Sequence, residues 1–467
     1  MIKQTFEKSR IDFIDIVIFL IPVVLFGFTW FVYFPGVLTF DSYNQLNQIA
    51  TGEFVQGHPL IHTLIELLLL KIWNNPGVIG LFQILVFSTI WTVICKYNRA
   101  KVLKKGFVII QILFTIFICL NPLNSIHAIT LWKDILYSYM ILLLSFMFLV
   151  ILDRKFVLQR KEIIGVIFLL VLIPNLRYNG LIVFIFSTLI LILLLFLKDR
   201  RSKNWLIMIV FTGITFFLFQ IPTKILVQPT GPLFGVFSLK TVHLTGDYLY
   251  KGLFSSEEEN FIASFINTDS LRQKYNPYFL DPIGSVEINE ELYAKNRREF
   301  NMLLIRKSVK NPIQFLDYLG KSTVVIWKIK IPEDSIGTTL TTGYDAVNNI
   351  DNIQQIHSSS RVFSIYNKYI EKTLSNDILK IIFYSPAFYF YLSIILILIV
   401  VVRKGGDFSY MLILLPNSLN LLGLMISIPV QDVRYVYSSI LTGYLAILLL
   451  FREGLYNQKI ATKKGTS

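Results

Sequence analysis

The feature that most constrains this chain is a series of uninterrupted apolar runs, each near the ~20 residues an α-helix needs to cross a hydrocarbon core about 30 Å thick. They recur from Phe13–Phe34 almost to the C-terminus. The runs predict ten spans at about 12–33, 77–95, 106–121, 134–152, 162–176, 178–197, 204–225, 381–402, 408–429 and 435–452. With 54% hydrophobic residues and 39 Phe, the chain lies outside the soluble globular range. The first run is too long for a signal peptide and lacks a small-residue cleavage site, so it reads as a retained span. The expected fold is therefore an all-α polytopic membrane protein.

The formal charge of +14 is not distributed like a nucleic-acid-binding surface. Basic residues cluster between apolar runs, as cytoplasmic loops do. With both termini inside, the cytoplasmic segments hold 22 Lys and Arg, including Lys3, Lys8, Arg10, Lys104, Arg200 and Arg201. The short extracytoplasmic segments hold 4: Lys71, Lys133, Arg177 and Arg434. A further apolar stretch, Leu60–Trp73, would reverse every later loop if it crossed, so it is expected to lie along the membrane surface. Cys95 and Cys119 sit at opposite ends of successive spans, which argues against a disulfide.

Three regions follow. Residues 1–225 form a membrane module of seven spans, with a first external loop at 34–76, and residues 381–467 form a three-span module with a cytoplasmic tail. Between them, 226–380 is an extracytoplasmic, mainly helical segment in which 17 basic residues balance 17 acidic ones. Within it, Ser255 reads as a helix cap and Glu290–Lys310 as a mixed-charge helix, with turns at Asn276–Pro277 and Asp281–Pro282. No internal repeat is visible, which weighs against a transporter built from inverted halves.

The reactive-looking residues fall on the extracytoplasmic side. Asp41 follows the Pro35–Gly36 turn and precedes Gln45 and Gln48 at helical spacing. It reads either as a base or cation ligand in a partly desolvated cleft, or as a cap for a helix over Ser42–Ala50. His58 precedes Pro59, with His62 one turn on; i, i+4 histidines can hold a metal, but no third ligand is apparent. Glu66, another turn on, is expected to be wetted. Lys133 and Asp134 stand at the mouth of the fourth span, where they could pair with each other or anchor the helix end. Arg177, in the tight turn Arg177-Tyr178-Asn179-Gly180, needs a phosphate or carboxylate to justify its place, and Asp432-Val433-Arg434-Tyr435 repeats the pattern. Together these groups suit a substrate with phosphate at the headgroup level and a tail in lipid.

The pattern Phe34-Pro35-Gly36…Asp41-Ser42…His58-Pro59, Trp132-Lys133-Asp134, Arg177-Tyr178-Asn179-Gly180 and Asp432-Val433-Arg434-Tyr435 resembles the GT-C superfamily of polyprenyl-phosphate-sugar-dependent membrane glycosyltransferases, in a bacterial branch. The resemblance spans most of the membrane part but not 226–380. It implies a hexosyl- or pentosyltransferase of the bacterial cell membrane, with termini cytoplasmic and the active site outside. Sugar would pass from a polyprenyl-phosphate donor to an envelope glycan, teichoic acid, lipid or protein, with inversion. On this reading Asp41 is the catalytic base, Arg177, Arg434 and Lys133 bind the donor phosphate, and His58, Asn179, Tyr178, Asp134 and Asp432 line the substrate pocket. Many relatives carry two adjacent acidic residues; here Ser42 follows Asp41, which favours a single base and lends no support to a divalent cation. A divalent cation stays open as an unsupported alternative, no metal ligands are assigned, and no other cofactor is expected. The competing readings are a polymerase or ligase using lipid-linked oligosaccharide, which would not need Asp41, a transporter or flippase of lipid-linked precursors, and a non-catalytic scaffold.

Overall fold

The apolar runs fold as helices, and among the described residues of the computed structural model the only strands are Phe54–Val55 and Val227–Gln228, which pair in parallel. The structure describes residues 11–102, 105–198, 203–228, 236–337, 339–341 and 359–464. Lys3, Lys8, Arg10, Lys104, Arg200 and Arg201 of the expected cytoplasmic clusters lie outside the described residues.

The first series of helices is α1 Phe13–Val32, α2 Phe40–Thr51, α3 Leu60–Ile72, α4 Gly77–Lys101, α5 Lys105–Leu120, α6 Pro122–His127, α7 Lys133–Asp153, α8 Arg160–Leu176, α9 Gly180–Lys198 and α10 Asn204–Leu226. The long inserted segment carries α11 Val236–Tyr250, α12 Ser256–Ala263, α13 Thr268–Lys274, α14 Glu290–Lys310, α15 Pro312–Ser322, α16 Val324–Trp327, α17 Arg361–Ser375 and α18 Asp377–Tyr384. The last three are α19 Pro386–Arg403, α20 Leu415–Ser427 and α21 Tyr437–Lys464.

Eight helical stretches among the described residues are long and apolar enough to cross a membrane: α1, α4, α7, α9, α10, α19, Phe408–Ser427 and Val433–Leu455. Helices α5 and α8 occupy the other two expected positions but have 16 and 17 residues. The expected surface helix forms as α3 and packs against α4 and α8. Helices α7 and α21 are buried on nearly every side and form the centre of the core. Around them, α1, α9, α10 and α19 turn large apolar side chains outward, among them Val24, Phe28, Leu189, Leu193, Phe217, Ile225, Ile395 and Val402. So much unpartnered apolar surface on consecutive helices is a lipid-facing belt, because in water it would have to be covered.

Two polar ends close the bundle. At one, which carries the basic clusters, Asp15 pairs with Arg99 and with Lys96 (2.8 Å), and Lys404 with Glu453 (2.6 Å). There too the buried Arg452 grips Asp153 (2.7 Å), tying α21 to α7. The other end carries the loops with Asp41, Lys133, Arg177 and Arg434.

Residues 242–318 of the inserted segment build a core of their own around Tyr248, Ile262, Phe265, Tyr293 and Phe300, whereas Val325, Ile326 and Ile370 belong to the large core. Ser255 caps α12 in a reciprocal box with Glu258, and α14 spans Glu290–Lys310, as its mixed-charge pattern predicts. The segment is pinned to the bundle through Gln431, which is fully buried. Its side-chain amide donates to the Ser322 carbonyl (2.6 Å) and accepts from the Val325 N–H (3.1 Å). Its own carbonyl accepts from the Gly337 N–H (2.9 Å).

Candidate active site

Asp41 is delivered by the turn before it. Gly36 has φ +135°, and a Cβ there would stand 2.7 Å from the Ile129 carbonyl oxygen, so only glycine fits. The turn lets residues 37–39 run beside 129–131: Val37 N–H donates to the Ile129 carbonyl and Leu131 N–H to the Val37 carbonyl, both at 3.1 Å. Ser42 Oγ donates to the Leu131 carbonyl (2.9 Å) and Trp132 Nε1 to Thr39 Oγ1 (2.7 Å). The first loop is thus stitched to the strand-like stretch that leads into α7, which sets Asp41 near Lys133. The cap of α2 is Thr39, whose N–H donates to Ser42 Oγ (3.1 Å), so the carboxylate of Asp41 is not used for capping.

The other loops converge on it. Arg434 Nη1 donates to Asp41 Oδ2 (2.7 Å), across 393 residues of sequence. The same guanidinium faces Asp432 Oδ2 through Nε (3.1 Å), and Asp432 also accepts from the Arg434 N–H (3.1 Å). Arg434 lies over the rings of Trp132 (4.6 Å) and Tyr435 (4.7 Å), and Arg177 lies over Tyr435 as well (4.4 Å). One tyrosine ring thus serves both arginines, which is favourable for flat delocalised cations. The tight turn Arg177–Gly180 closes with the Gly180 N–H on the Arg177 carbonyl (2.9 Å), and a Cβ on Gly180 would meet the Ile173 carbonyl oxygen at 2.8 Å. Tyr178 Oη donates to the His58 carbonyl (3.2 Å), while Asn179 Nδ2 donates to Asn420 Oδ1 (2.9 Å).

Lys133 and Asp134 do not pair with each other. Lys133 Nζ donates to His58 Nδ1 (3.0 Å), and Asp134 Oδ1 lies 2.7 Å from Arg177 Nη1. Successive residues on a helix point about 100° apart, so each takes a partner from a different loop. The Asp134–Arg177 contact is close but off-line: neither oxygen of Asp134 nor Nη1 of Arg177 has a directed hydrogen bond among the described residues, and the same holds for Arg434 Nε. Buried charges with spare hydrogen-bonding capacity mark a place where a polar ligand or water completes the shell. Among the described residues, no three His, Cys, Asp or Glu side chains converge where a metal ion would be held.

Burial favours a neutral Asp41, but the charges of Arg434 and Lys133 outweigh it and hold its carboxyl down to about 2. Asp432, also buried, goes the other way: burial raises it to about 6 against the pull of Arg434. His58 is lowered to about 3 by burial and by the Lys133 ammonium, so it is a neutral imidazole. The carboxyl of Asp281, in the inserted segment, is raised by burial against the pull of Arg434.

Glu66, expected in water, is 2% exposed, because α3 is covered on that face. Its Oε1 lies 3.7 Å from His62 Nδ1, a ring nitrogen that Gln45 Nε2 already approaches at 3.0 Å. Burial raises Glu66 to about 8 and lowers His62 to about 3, so at neutral pH both are uncharged and the contact is not a salt bridge. A carboxyl whose folded value lies above its unfolded value of about 4.3 weakens the fold as pH rises toward 8. Glu66→Gln keeps the shape and cannot ionise. Its thermal unfolding in detergent is expected to match wild type at pH 4 and to exceed it at pH 9; equal stability at pH 9 would place Glu66 in contact with water.

No family model matches the chain, and neither a curated protein nor a solved structure matches it.

Proposed function

We propose that the chain is a membrane glycosyltransferase that moves a sugar from a polyprenyl-phosphate donor to an envelope acceptor at the extracytoplasmic face, with inversion. The observation that carries this reading is the convergence of Asp41, Lys133, Asp134, Arg177, Asp432 and Arg434, from four separate loops, at one end of an apolar bundle. The resemblance of these same loops to GT-C enzymes supports it.

In the proposed reaction, the acceptor hydroxyl oxygen forms a bond to the anomeric carbon while the bond from that carbon to the phosphate oxygen breaks. The electron pair leaves with polyprenyl phosphate, and the hydroxyl proton goes to Asp41. Arg434 and Arg177 neutralise the departing phosphate, and their planar forks suit its oxygens. Arg434 is engaged by Asp41 in the free protein, so a bound phosphate competes for that guanidinium. Asp41, losing its counter-ion while staying in the cleft, then becomes a stronger base. Donor binding would therefore prime the proton acceptor.

Membranes containing the protein, incubated with a panel of polyprenyl-phosphate sugars, are expected to consume one donor and release polyprenyl phosphate in step with single-sugar growth of product. Growth by blocks would indicate a polymerase or ligase. Relocation of intact donor without consumption would indicate transport.

A further inference from the structure

An open groove of about 860 Å³ runs between α9 and α20 on one side and α11, α14 and α15 on the other. Ile182, Phe186, Leu422, Ile426, Ile305 and Phe315 give it apolar walls. Phe186, Leu422 and Ile426 are each about half exposed and continue the outward apolar faces of α9 and α20, so the groove opens toward the lipid belt.

One group in it does not fit an apolar wall. Lys240 lines the groove and is 7% exposed. Among the described residues its Nζ reaches only the Ser322 carbonyl, at 3.5 Å, and the face of the Tyr318 ring, at 5.5 Å, and no carboxylate pairs with it. Asn301 Oδ1, on the same lining, is buried without a hydrogen-bond partner among the described residues. A buried ammonium without a counter-ion is costly, and burial pushes Lys240 down to about 7. An anion that brought its own apolar chain would satisfy both the cation and the walls. The Ser322 carbonyl that Lys240 approaches also accepts from Gln431 Nε2 (2.6 Å), so the cation is one carbonyl away from the loop that carries Asp432 and Arg434.

We infer that this groove binds a single-chain anionic amphiphile, an isoprenoid or alkyl phosphate, with Lys240 on the phosphate and the chain lying between α20 and α14. The inference goes beyond the proposed transfer reading, which puts the donor phosphate on Arg434 and Arg177: Lys240 holds the phosphate of a second amphiphile, and the test needs no sugar. Full-length protein in detergent is titrated with farnesyl phosphate, farnesol and inorganic phosphate. Farnesyl phosphate is expected to bind saturably, and the other two about tenfold or more weakly, since each lacks one half of the complementarity. Lys240→Met, a change to a neutral chain of similar length, is expected to weaken farnesyl phosphate about tenfold and to leave farnesol unchanged. Ile426→Trp, at a half-exposed position that tolerates bulk, should weaken both. Equal binding of farnesyl phosphate and farnesol overturns the inference, as does binding that survives Lys240→Met but is lost in Arg434→Met. Saturable, Lys240-dependent binding in a protein that transfers no sugar keeps the groove and removes the transferase reading.

Discussion

Asp41→Asn is expected to lower sugar transfer by on the order of 10³-fold, the range associated with loss of a positioned general base, while the protein inserts and unfolds as wild type does. The amide fits the same space but cannot accept the acceptor's proton. Arg434 loses one partner and keeps Asp432 at 3.1 Å. The lost pair is part-exposed, so the stability change is expected to be about 1 kcal/mol or less. Donor binding is expected to hold or tighten, because the carboxylate that competes with phosphate for Arg434 is gone. The signature is a fall in kcat without a rise in KM for the donor, which a merely structural aspartate would not produce. The pH dependence sharpens it. In the free protein Asp41 lies at about 2 and is ionised throughout the working range, so it adds no acid limb to kcat/KM there. Once phosphate occupies Arg434 its value rises, and kcat at saturating donor should fall as pH falls through the new value. Full activity in the variant, or an acid limb shared by both parameters, removes Asp41 from the chemistry.

Much of the bundle was legible because lipid imposes one requirement on every span, and a run of apolar residues is how a sequence meets it. The candidate site was legible for a related reason. A cation on the basic-poor side of such a protein is an exception that needs a partner, and Lys133, Arg177 and Arg434 all lie at the same end of the bundle as Asp41. Their pairing was not legible. Adjacent in sequence, Lys133 and Asp134 suggest each other, and only the packing of α8 against α7 gives Asp134 to Arg177. The Asp41–Arg434 contact joins the first loop to the last, and no local pattern carries information over that separation. Glu66 misleads for a tertiary reason as well: a glutamate one turn from His62 on a short helix belongs in water unless other helices cover that face, as α4 and α8 do here. Lys240 is one of 17 basic residues in a charge-balanced segment, and nothing in its neighbours distinguishes it from the solvated ones. Its isolation from carboxylates is a property of three dimensions alone.

The pair Asp134–Arg177 allows a scaffold role and a ligand role to be separated. Asp134 is 1% exposed, so Arg177→Met would leave a buried carboxylate without its nearest counter-ion. Breaking a buried pair from one side typically costs ~3–5 kcal/mol, and the variant is expected to show that loss in chemical or thermal unfolding in detergent, together with loss of transfer. Adding Asp134→Asn removes the stranded charge and is expected to restore most of the stability, because a buried amide costs far less to desolvate than an unpaired carboxylate. What the double variant does to activity then decides the role. If Arg177 acts only by holding α8 against α7, transfer returns with the fold. If its guanidinium also meets the substrate phosphate, transfer stays lost in a protein that is stable again, and donor affinity falls about tenfold or more, the amount expected for a charge-assisted contact. The geometry favours the second outcome, since Nη1 of Arg177 is buried, lies off-line from Asp134, and makes no directed hydrogen bond among the described residues. A guanidinium used purely as a clamp would be expected to meet its carboxylate through two parallel bonds.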